Sequence, residues 1–336
     1  MKNSLLLSLL LTISAGAVNA QVTYFADLMG KGFKQATIVQ PSDYEGSVTC
    51  TLVRKTSPDK STKAVLYVHG FNDYFFQEEM AERYINEGFN FYAIDLRKYG
   101  RSWLSHQKIN NVRDLSEYYA DIDTALAVIK GEGNEKVLLS GHSLGGLTIS
   151  LYASERAGKE KFDAVLLNSP MFALNIKSGL KKTALPLLLK RAEKHPETNF
   201  DLGINPLYGE SLHVTAHGEW SYSLGLKPFV APPVNLGWIR AVHNAQERLA
   251  QGITINKPVL VLHSAKSIDE KKWSDAFFTG DAVLNVEDVA RQARNIVGQY
   301  SIQAVQSGMH DLILSKQPVR DEVYSTIFNW AKRTVK

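Results

Sequence analysis

Residues 137–146 read Val-Leu-Leu-Ser-Gly-His-Ser-Leu-Gly-Gly, and this stretch decides the fold class. The apolar run at 137–139 is typical of a buried strand, and the pattern at 144–157 predicts a helix directly after it. Between them, residues 141–145 match G-x-S-x-G. A sharp strand-to-helix turn brings backbone segments close together, so glycine is needed on both sides of the serine. This setting predicts Ser143 as an exposed nucleophile; the alternative is an ordinary glycine-rich turn.

Strand and helix patterns alternate on either side of this motif. Apolar runs typical of strands occur at residues 64–68, 89–96, 164–167, 259–262 and 300–305. Helix patterns occur at residues 77–86, 112–130 and 319–333. An early hairpin is predicted from residues 35–40 and 47–55, with its turn at 41–43. The succession predicts an α/β fold with a mostly parallel central sheet and helices on both faces.

The alternation stops after Pro170. Residues 171–256 contain a leucine-rich segment and scattered aromatic residues, and they are interrupted by Pro228, Pro232 and Pro233. We therefore predict a mainly helical lid at 171–256, inserted into one α/β core that comprises residues 21–170 and 257–336.

The N-terminus has the layout of a secretory signal peptide. Lys2 precedes an apolar run at residues 5–13, and Val18-Asn19-Ala20 ends in a small residue suited to signal peptidase. The alternative is an uncleaved membrane anchor, but the apolar run is shorter than the roughly 20 residues that span a bilayer. We predict cleavage after Ala20, a secreted or periplasmic protein, and no integral membrane segment after cleavage.

Composition excludes several classes of protein. The 336 residues include 44% hydrophobic and 21% charged residues, values that exclude a collagen-like, coiled-coil or disordered chain. The net charge of +4 comes without a dense Lys/Arg cluster, so nucleic acid is not an expected partner. The single cysteine, Cys50, has no partner for an internal disulfide.

A serine nucleophile needs a base, and the base needs a carboxylate that orients it. His310 follows the last predicted strand, where such a base is expected. The chain order Ser–Asp–His places the acid between residues 262 and 310. Position favours Asp269, which lies nearest the preceding strand, whereas the apolar pattern that follows Asp281 favours Asp281. The remaining acidic candidates are Asp275, Asp288, Glu270 and Glu287.

Two backbone N–H groups are candidates for an oxyanion hole. Leu144 begins the helix after the serine, and Phe71 lies in His69-Gly70-Phe71-Asn72, directly after a predicted strand. His213 and His217 are four residues apart, but no third ligand supports a metal site. We therefore expect no metal and no cofactor.

Together these residues resemble the α/β-hydrolase superfamily, and within it the lysophospholipase, monoacylglycerol lipase and serine aminopeptidase group. The matching motifs are His69-Gly70, Asp95-Leu-Arg-Lys-Tyr-Gly-Arg-Ser102, Gly141-His-Ser-Leu-Gly-Gly146 and Gly308-Met-His-Asp-Leu312. In this group the acid is followed by Val-Val or Val-Leu and then an acidic residue. The resemblance therefore implies Asp281, rather than Asp269, as the partner of Ser143 and His310.

The chain departs from the family at two places. The family has Asp-x-Arg-Gly-x-Gly-x-Ser, but Lys98 occupies the first glycine position here, which leaves the geometry of this loop open. Residues 264–280 form an insertion before Asp281.

The resemblance implies a serine hydrolase that cleaves carboxylic esters through an acyl-enzyme, and the predicted signal peptide implies that this hydrolase is exported. The leucine-rich lid favours small-molecule acyl esters of the lysophospholipid or monoacylglycerol type, including lipids at a membrane surface. One alternative is a serine aminopeptidase, which needs a lid carboxylate for the substrate amine; Glu210, Glu219 and Glu247 are available. The other is a catalytically silent binding or receptor protein on the same fold.

Overall fold

The computed structural model describes residues 22–173 and 178–336, so the predicted signal peptide at 1–20 lies outside the described residues. The strands are β1 (Phe25–Ala26), β2 (Lys34–Asp43), β3 (Gly46–Lys55), β4 (Lys63–Val68), β5 (Asn90–Asp95), β6 (Lys136–His142), β7 (Ala164–Asn168), β8 (Asn199–Phe200), β9 (Val234–Asn235), β10 (Ile253–Ser264) and β11 (Ile296–Val305). The helices are α1 (Glu78–Asn86), α2 (Tyr119–Gly131), α3 (Leu144–Glu155), α4 (Ser178–Lys194), α5 (Leu207–Leu212), α6 (Leu236–Ala250), α7 (Val286–Ala293) and α8 (Gln317–Thr334). None of the helices in this part of the chain is long and apolar enough to cross a membrane.

The main sheet has the strand order β1-β2-β3-β5-β4-β6-β7-β10-β11. From β5 to β11 the neighbouring strands are parallel, while β1, β2 and β3 extend the sheet by antiparallel pairing. The predicted mostly parallel sheet is confirmed. The register brings the ends of adjacent strands side by side: Val68 pairs with Gly141, and Ser264 pairs with Val305. The loops that carry the candidate site residues therefore leave adjacent strands at the same edge.

The apolar runs are unbroken because the sheet is covered on both faces. In β4, the side chains of Leu66 and Val68 join the core on the face covered by α2, α3 and α6. Val65 and Tyr67 join the core on the opposite face, which α1 and α8 cover. Alternate residues of a strand point to opposite faces, so both sets must be apolar.

The turn of the first hairpin was predicted wrongly. It lies at Tyr44-Glu45 rather than at 41–43, because Asp43 pairs with Gly46 across the hairpin. The Asp43 carboxylate accepts the N–H of Glu45 (2.7 Å), and Gly46 takes the positive φ that the turn requires. Pro41 lies within β2 at an irregularity where it has no pairing partner, so its missing N–H breaks no ladder hydrogen bond.

The predicted lid region contains the helices α4, α5 and α6 and a small two-stranded sheet of β8 and β9. Its last helix, α6, packs differently. The side chains of Trp238, Val242 and Leu249 are buried in the core cluster that also contains residues of α2 and α3. By its contacts, α6 belongs with the core layer, and β10 begins at Ile253. The exact bounds of the lid stay a prediction.

Lys98 has a φ of 65°, in the left-handed region that favours glycine. Its side chain is fully buried, and Nζ lies 2.6 Å from both Asp43 Oδ2 and Glu45 Oε2 of the β2–β3 turn. The ion pairs of Lys98 thus hold the turn of the first hairpin against the loop after β5.

Replacing Lys98 by methionine is expected to lower the free energy of unfolding by about 3–5 kcal/mol, because two carboxylates would remain buried without a cation. Urea denaturation measures the change. Lys31→Met is the matched control, since the ion pair of Lys31 with Glu78 is exposed and its loss should cost less than about 1 kcal/mol. Equal effects of the two substitutions would contradict a structural role for Lys98.

Candidate active site

Ser143 lies on the sharp turn between β6 and α3. Its φ of 51° and ψ of −116° are unusual for a residue with a side chain. A Cβ on Gly145 would lie 2.4 Å from the carbonyl oxygens of both Val68 and His69, and one on Gly141 would lie 2.8 Å from the backbone of Gly145. These contacts explain why both positions are glycine. The tight turn projects the serine hydroxyl from the edge of the sheet.

His310 follows β11 and reaches the serine. Its Nε2 lies 3.0 Å from Ser143 Oγ, and its Nδ1 lies 2.9 Å from Asp281 Oδ2. In the neutral ring that fits these contacts, Nδ1–H donates to Asp281 and Nε2 is free to accept the serine proton. The structure therefore brings Ser143, His310 and Asp281 into one hydrogen-bonded chain.

The Asp281 carboxylate is held by its own loop. Its Oδ1 accepts the N–H groups of Val283 (2.7 Å) and Leu284 (2.8 Å), which leaves Oδ2 for His310. Asp269 is exposed and forms an ion pair with Lys271. The pattern of apolar residues after Asp281, rather than proximity to the strand end, identified the acidic residue that contacts His310.

The insertion at 264–280 precedes Asp281 in the chain, and backbone hydrogen bonds join its first residues to Asp281. Asp281 N donates to Lys266 O (2.9 Å), and Ile268 N donates to Asp281 O (2.8 Å). These bonds close the insertion at its base. At its tip, the ring of Trp273 stacks on His217 of the lid region at 3.7 Å between centroids. The insertion therefore contacts both the lid and the acid loop.

His142, next to the serine, is buried and contacts the candidate base. The two imidazole centroids are 4.8 Å apart. Burial lowers the pKa of His142 and outweighs the opposing effect of Asp311. His142 is therefore neutral near pH 7, so it does not place a second positive charge beside His310.

The loop after β4 carries Phe71, one of the two predicted oxyanion donors. His69 anchors this loop, because its Nε2 accepts the N–H of Leu96 (3.1 Å). Its Nδ1 then carries the proton and donates to Gly70 O (2.8 Å). Phe71 lines the cavity that contains Ser143, and Leu144 is the first residue of α3. Both predicted donors thus flank the serine.

The cavity above Ser143 has a volume of about 90 Å³ and a largely apolar wall. Its apolar residues include Phe71, Met171, Ile204, Leu212, Phe229 and Val283. Tyr208 of α5 also lines it, with the edge of its ring on His310 (5.6 Å) and its hydroxyl accepting the N–H of Asp311 (3.1 Å). The lid region therefore packs directly against the candidate base.

Two charged residues of the cavity were missed by the sequence analysis. Asp73 and Lys227 form an ion pair of 2.7 Å, and both line the cavity. Burial raises the pKa of Asp73, but the ammonium of Lys227, with His69 and His142, outweighs burial and lowers it. Asp73 could have been suspected from its position after β4, whereas nothing in the sequence around Lys227 marks it.

The other sequence candidates lie in different surroundings. His213 contacts Thr215 and the Tyr222 carbonyl, while His217 stacks on Trp273, so the two histidines do not share a ligand site. Within residues 22–173 and 178–336, no group of three His, Cys, Asp or Glu side chains could hold a metal ion. Cys50 is buried in β3, and burial raises the pKa of its thiol.

Comparison with known proteins agrees with this fold. A model of the family described as serine aminopeptidase, S33 matches residues 59–270. A soluble variant of monoglyceride lipase from Saccharomyces cerevisiae, in complex with a substrate analog, has 16% identity and a TM-score of 0.63, covering 89% of this chain and 96% of that chain. The monoacylglycerol lipase of Paleococcus ferrophilus has 21% identity and a TM-score of 0.60, covering 83% and 96%.

A third solved structure, a thermostable carboxyl esterase from Bacillus coagulans in complex with glycerol, has 14% identity and a TM-score of 0.63. It covers 90% of this chain and 99% of that chain. At these identities the likeness establishes the fold. The family model spans more than half of the sequence, and the chain therefore belongs to the serine aminopeptidase S33 family of α/β hydrolases.

Proposed function

We propose that this protein hydrolyses carboxylic esters through an acyl-enzyme formed on Ser143. The observation that carries the proposal is the chain of contacts from Asp281 Oδ2 to His310 Nδ1 (2.9 Å) and from His310 Nε2 to Ser143 Oγ (3.0 Å). A serine with this pair of partners has a base to accept its proton and a carboxylate to stabilise the resulting imidazolium.

The reaction begins when Ser143 Oγ attacks the ester carbonyl carbon and its proton passes to His310 Nε2. The negative charge on the carbonyl oxygen is stabilised by the N–H groups of Phe71 and Leu144. The tetrahedral intermediate then expels the alcohol, which takes the proton from His310. In the second half, His310 deprotonates a water that attacks the acyl carbon, and the carboxylic acid leaves as Ser143 regains its proton.

The substrate we propose is a lipid ester of the lysophospholipid or monoacylglycerol type. The apolar wall formed by residues such as Met171, Leu212 and Phe229 suits an acyl chain. Two of the similar solved structures are a monoglyceride lipase and a monoacylglycerol lipase. Export is part of the proposal, with cleavage after Ala20 as the sequence predicts.

The family description favours a second candidate, a serine aminopeptidase. Such an enzyme needs a carboxylate available to the substrate amine. Among the described residues that line the cavity, the only carboxylate is Asp73, and Lys227 already neutralises it. Glu219 is paired with Lys316 and Arg320 outside the cavity lining. These contacts favour an ester over an aminoacyl amide.

A fluorophosphonate probe and a substrate panel test the proposal. Wild-type protein expressed with its full N-terminus is expected to take one label, mapped by peptide mass spectrometry to Ser143, and to begin at Gln21 after export. The panel contains p-nitrophenyl esters of increasing chain length, a monoacylglycerol, a lysophosphatidylcholine and an aminoacyl p-nitroanilide. Absence of label at Ser143 would overturn the hydrolase mechanism, and faster cleavage of the anilide would replace the esterase with the aminopeptidase.

A further inference from the structure

Two segments of the chain run side by side along one wall of the cavity. One is the loop 71–76, which follows β4 and carries the proposed oxyanion donor Phe71. The other is the segment 222–228 of the predicted lid. Their contacts are Asn72 Nδ2 to Pro228 O (3.0 Å), Lys227 Nζ to Asp73 Oδ1 (2.7 Å), Ser223 N to Tyr74 Oη (2.8 Å), and the rings of Phe76 and Tyr222 (4.6 Å between centroids). The lid segment is thus attached to the loop at successive points.

The ion pair is the contact with the greatest energetic consequence. Asp73 is 2% exposed as a residue, and the side chain of Lys227 is 12% exposed. Desolvation cancels much of the attraction within a buried pair, whereas removing one partner leaves a buried charge unpaired. Without Lys227, the Asp73 carboxylate would be driven towards water, and the loop that carries it would have to move.

Such a movement would reach Phe71, which lies only two residues before Asp73. Asn72, between them, has a left-handed backbone with φ of 50°, and its side chain is itself held by Pro228 O. An oxyanion donor must lie within about 2.7–3.1 Å of the developing charge. A displacement of about 1 Å can cost about 100-fold in rate.

We infer that Lys227 is a positioning residue, which holds Asp73 and so keeps the Phe71 N–H aimed at the oxyanion. The inference rests on the proposed serine hydrolase function. It assigns to the lid segment a part in the chemical step, since the lid supplies the cation that fixes the oxyanion loop. Lys227 does not contact the reacting atoms in this role.

Steady-state kinetics on a neutral p-nitrophenyl ester test the inference. Lys227→Met is expected to lower kcat by about 10- to 100-fold with KM within about threefold, because the interaction lost is made in the transition state. Binding of a trifluoromethyl ketone, which forms an oxyanion on the serine, should weaken by a similar factor. Lys227→Arg should restore kcat to within a few-fold, since guanidinium can pair with the same carboxylate.

Lys316→Met is the matched control, because Lys316 also joins the lid to the core, through Glu219, but lies outside the cavity lining. It should leave kcat unchanged. The double variant Asp73→Asn/Lys227→Met removes both charges and keeps the test valid if Lys227→Met alone fails to fold. The double variant should still have a low kcat, since the tether is absent.

Three results would overturn the inference. One is an unchanged kcat in Lys227→Met, and another is a wild-type kcat in the double variant. The third is a rise in KM with kcat unchanged, which would make Lys227 a substrate-binding residue. If wild-type protein instead takes no fluorophosphonate label, the proposed function itself has failed, so the two failures are distinguishable.

Discussion

Replacing Ser143 by alanine is expected to lower kcat for ester hydrolysis by about a millionfold while the protein remains folded. The substitution removes the only atom that can form the acyl-enzyme in the proposed mechanism. Ser143 Oγ is hydrogen-bonded to His310 Nε2 (3.0 Å). The backbone turn is held by Gly141 and Gly145, which stay in place. Residual catalysis over water should come from the oxyanion donors and from substrate binding.

Ser150→Ala is the matched control for this experiment. Ser150 is buried in α3, its hydroxyl donates to Gly146 O (2.7 Å), and it does not line the cavity. Its replacement should leave kcat within about twofold. Both variants are measured by kcat on a p-nitrophenyl ester and by fluorophosphonate labelling. Retention of more than about 1% of wild-type kcat in Ser143→Ala would exclude Ser143 as the nucleophile.

Asp281→Asn is expected to lower kcat by about 10,000-fold with little change in substrate binding. In the native loop, Oδ1 accepts two backbone N–H groups, from Val283 and Leu284. An asparagine must keep its oxygen at that position, so its NH₂ group would face His310 Nδ1. The imidazole would then carry its proton on Nε2, the tautomer that cannot accept the proton of Ser143.

Asp269→Asn is the control that shows whether a fall in kcat comes from the loss of the Asp281–His310 contact or only from the loss of a negative charge. It removes the same charge from the segment just before Asp281, but Asp269 is exposed and pairs with Lys271. Its kcat should stay within about twofold of wild type. A loss in Asp269→Asn as large as that in Asp281→Asn would contradict the assignment of the acid. Crystallographic or circular dichroism measurements on both variants check that each one is folded.

Local patterns predicted the parts of the site that follow strand ends. The elbow around Ser143 and the position of His310 after β11 both depend on short stretches of chain, because the carboxyl ends of parallel strands meet at one edge. The hairpin turn was predicted wrongly, since Pro41 is compatible with a strand irregularity as well as with a turn. The sequence left the loop around Lys98 open; in the structure Lys98 has a positive φ, and its ammonium pairs with the carboxylates of Asp43 and Glu45.

The acid and the cavity charges illustrate what a sequence leaves open. Position after β10 favoured Asp269, whereas the apolar pattern and the family resemblance favoured Asp281, and the folded insertion brings Asp281 to His310. The pairing of Asp73 with Lys227 joins residues 154 positions apart. No periodicity or spacing connects such residues, because their contact depends on how the lid segment packs over the loop after β4.

The sequence by itself determined the α/β fold, since uninterrupted apolar strands require a sheet covered on both faces, and a strand–Gly–x–Ser–x–Gly–helix succession requires a tight turn at Ser143. Tertiary structure alone decided that Lys227 pairs with Asp73 across the cavity. The physical reason is the sequence separation of the interacting residues. Turns and strands depend on neighbouring residues, whereas hydrogen bonds and ion pairs across the cavity form only when distant segments pack together.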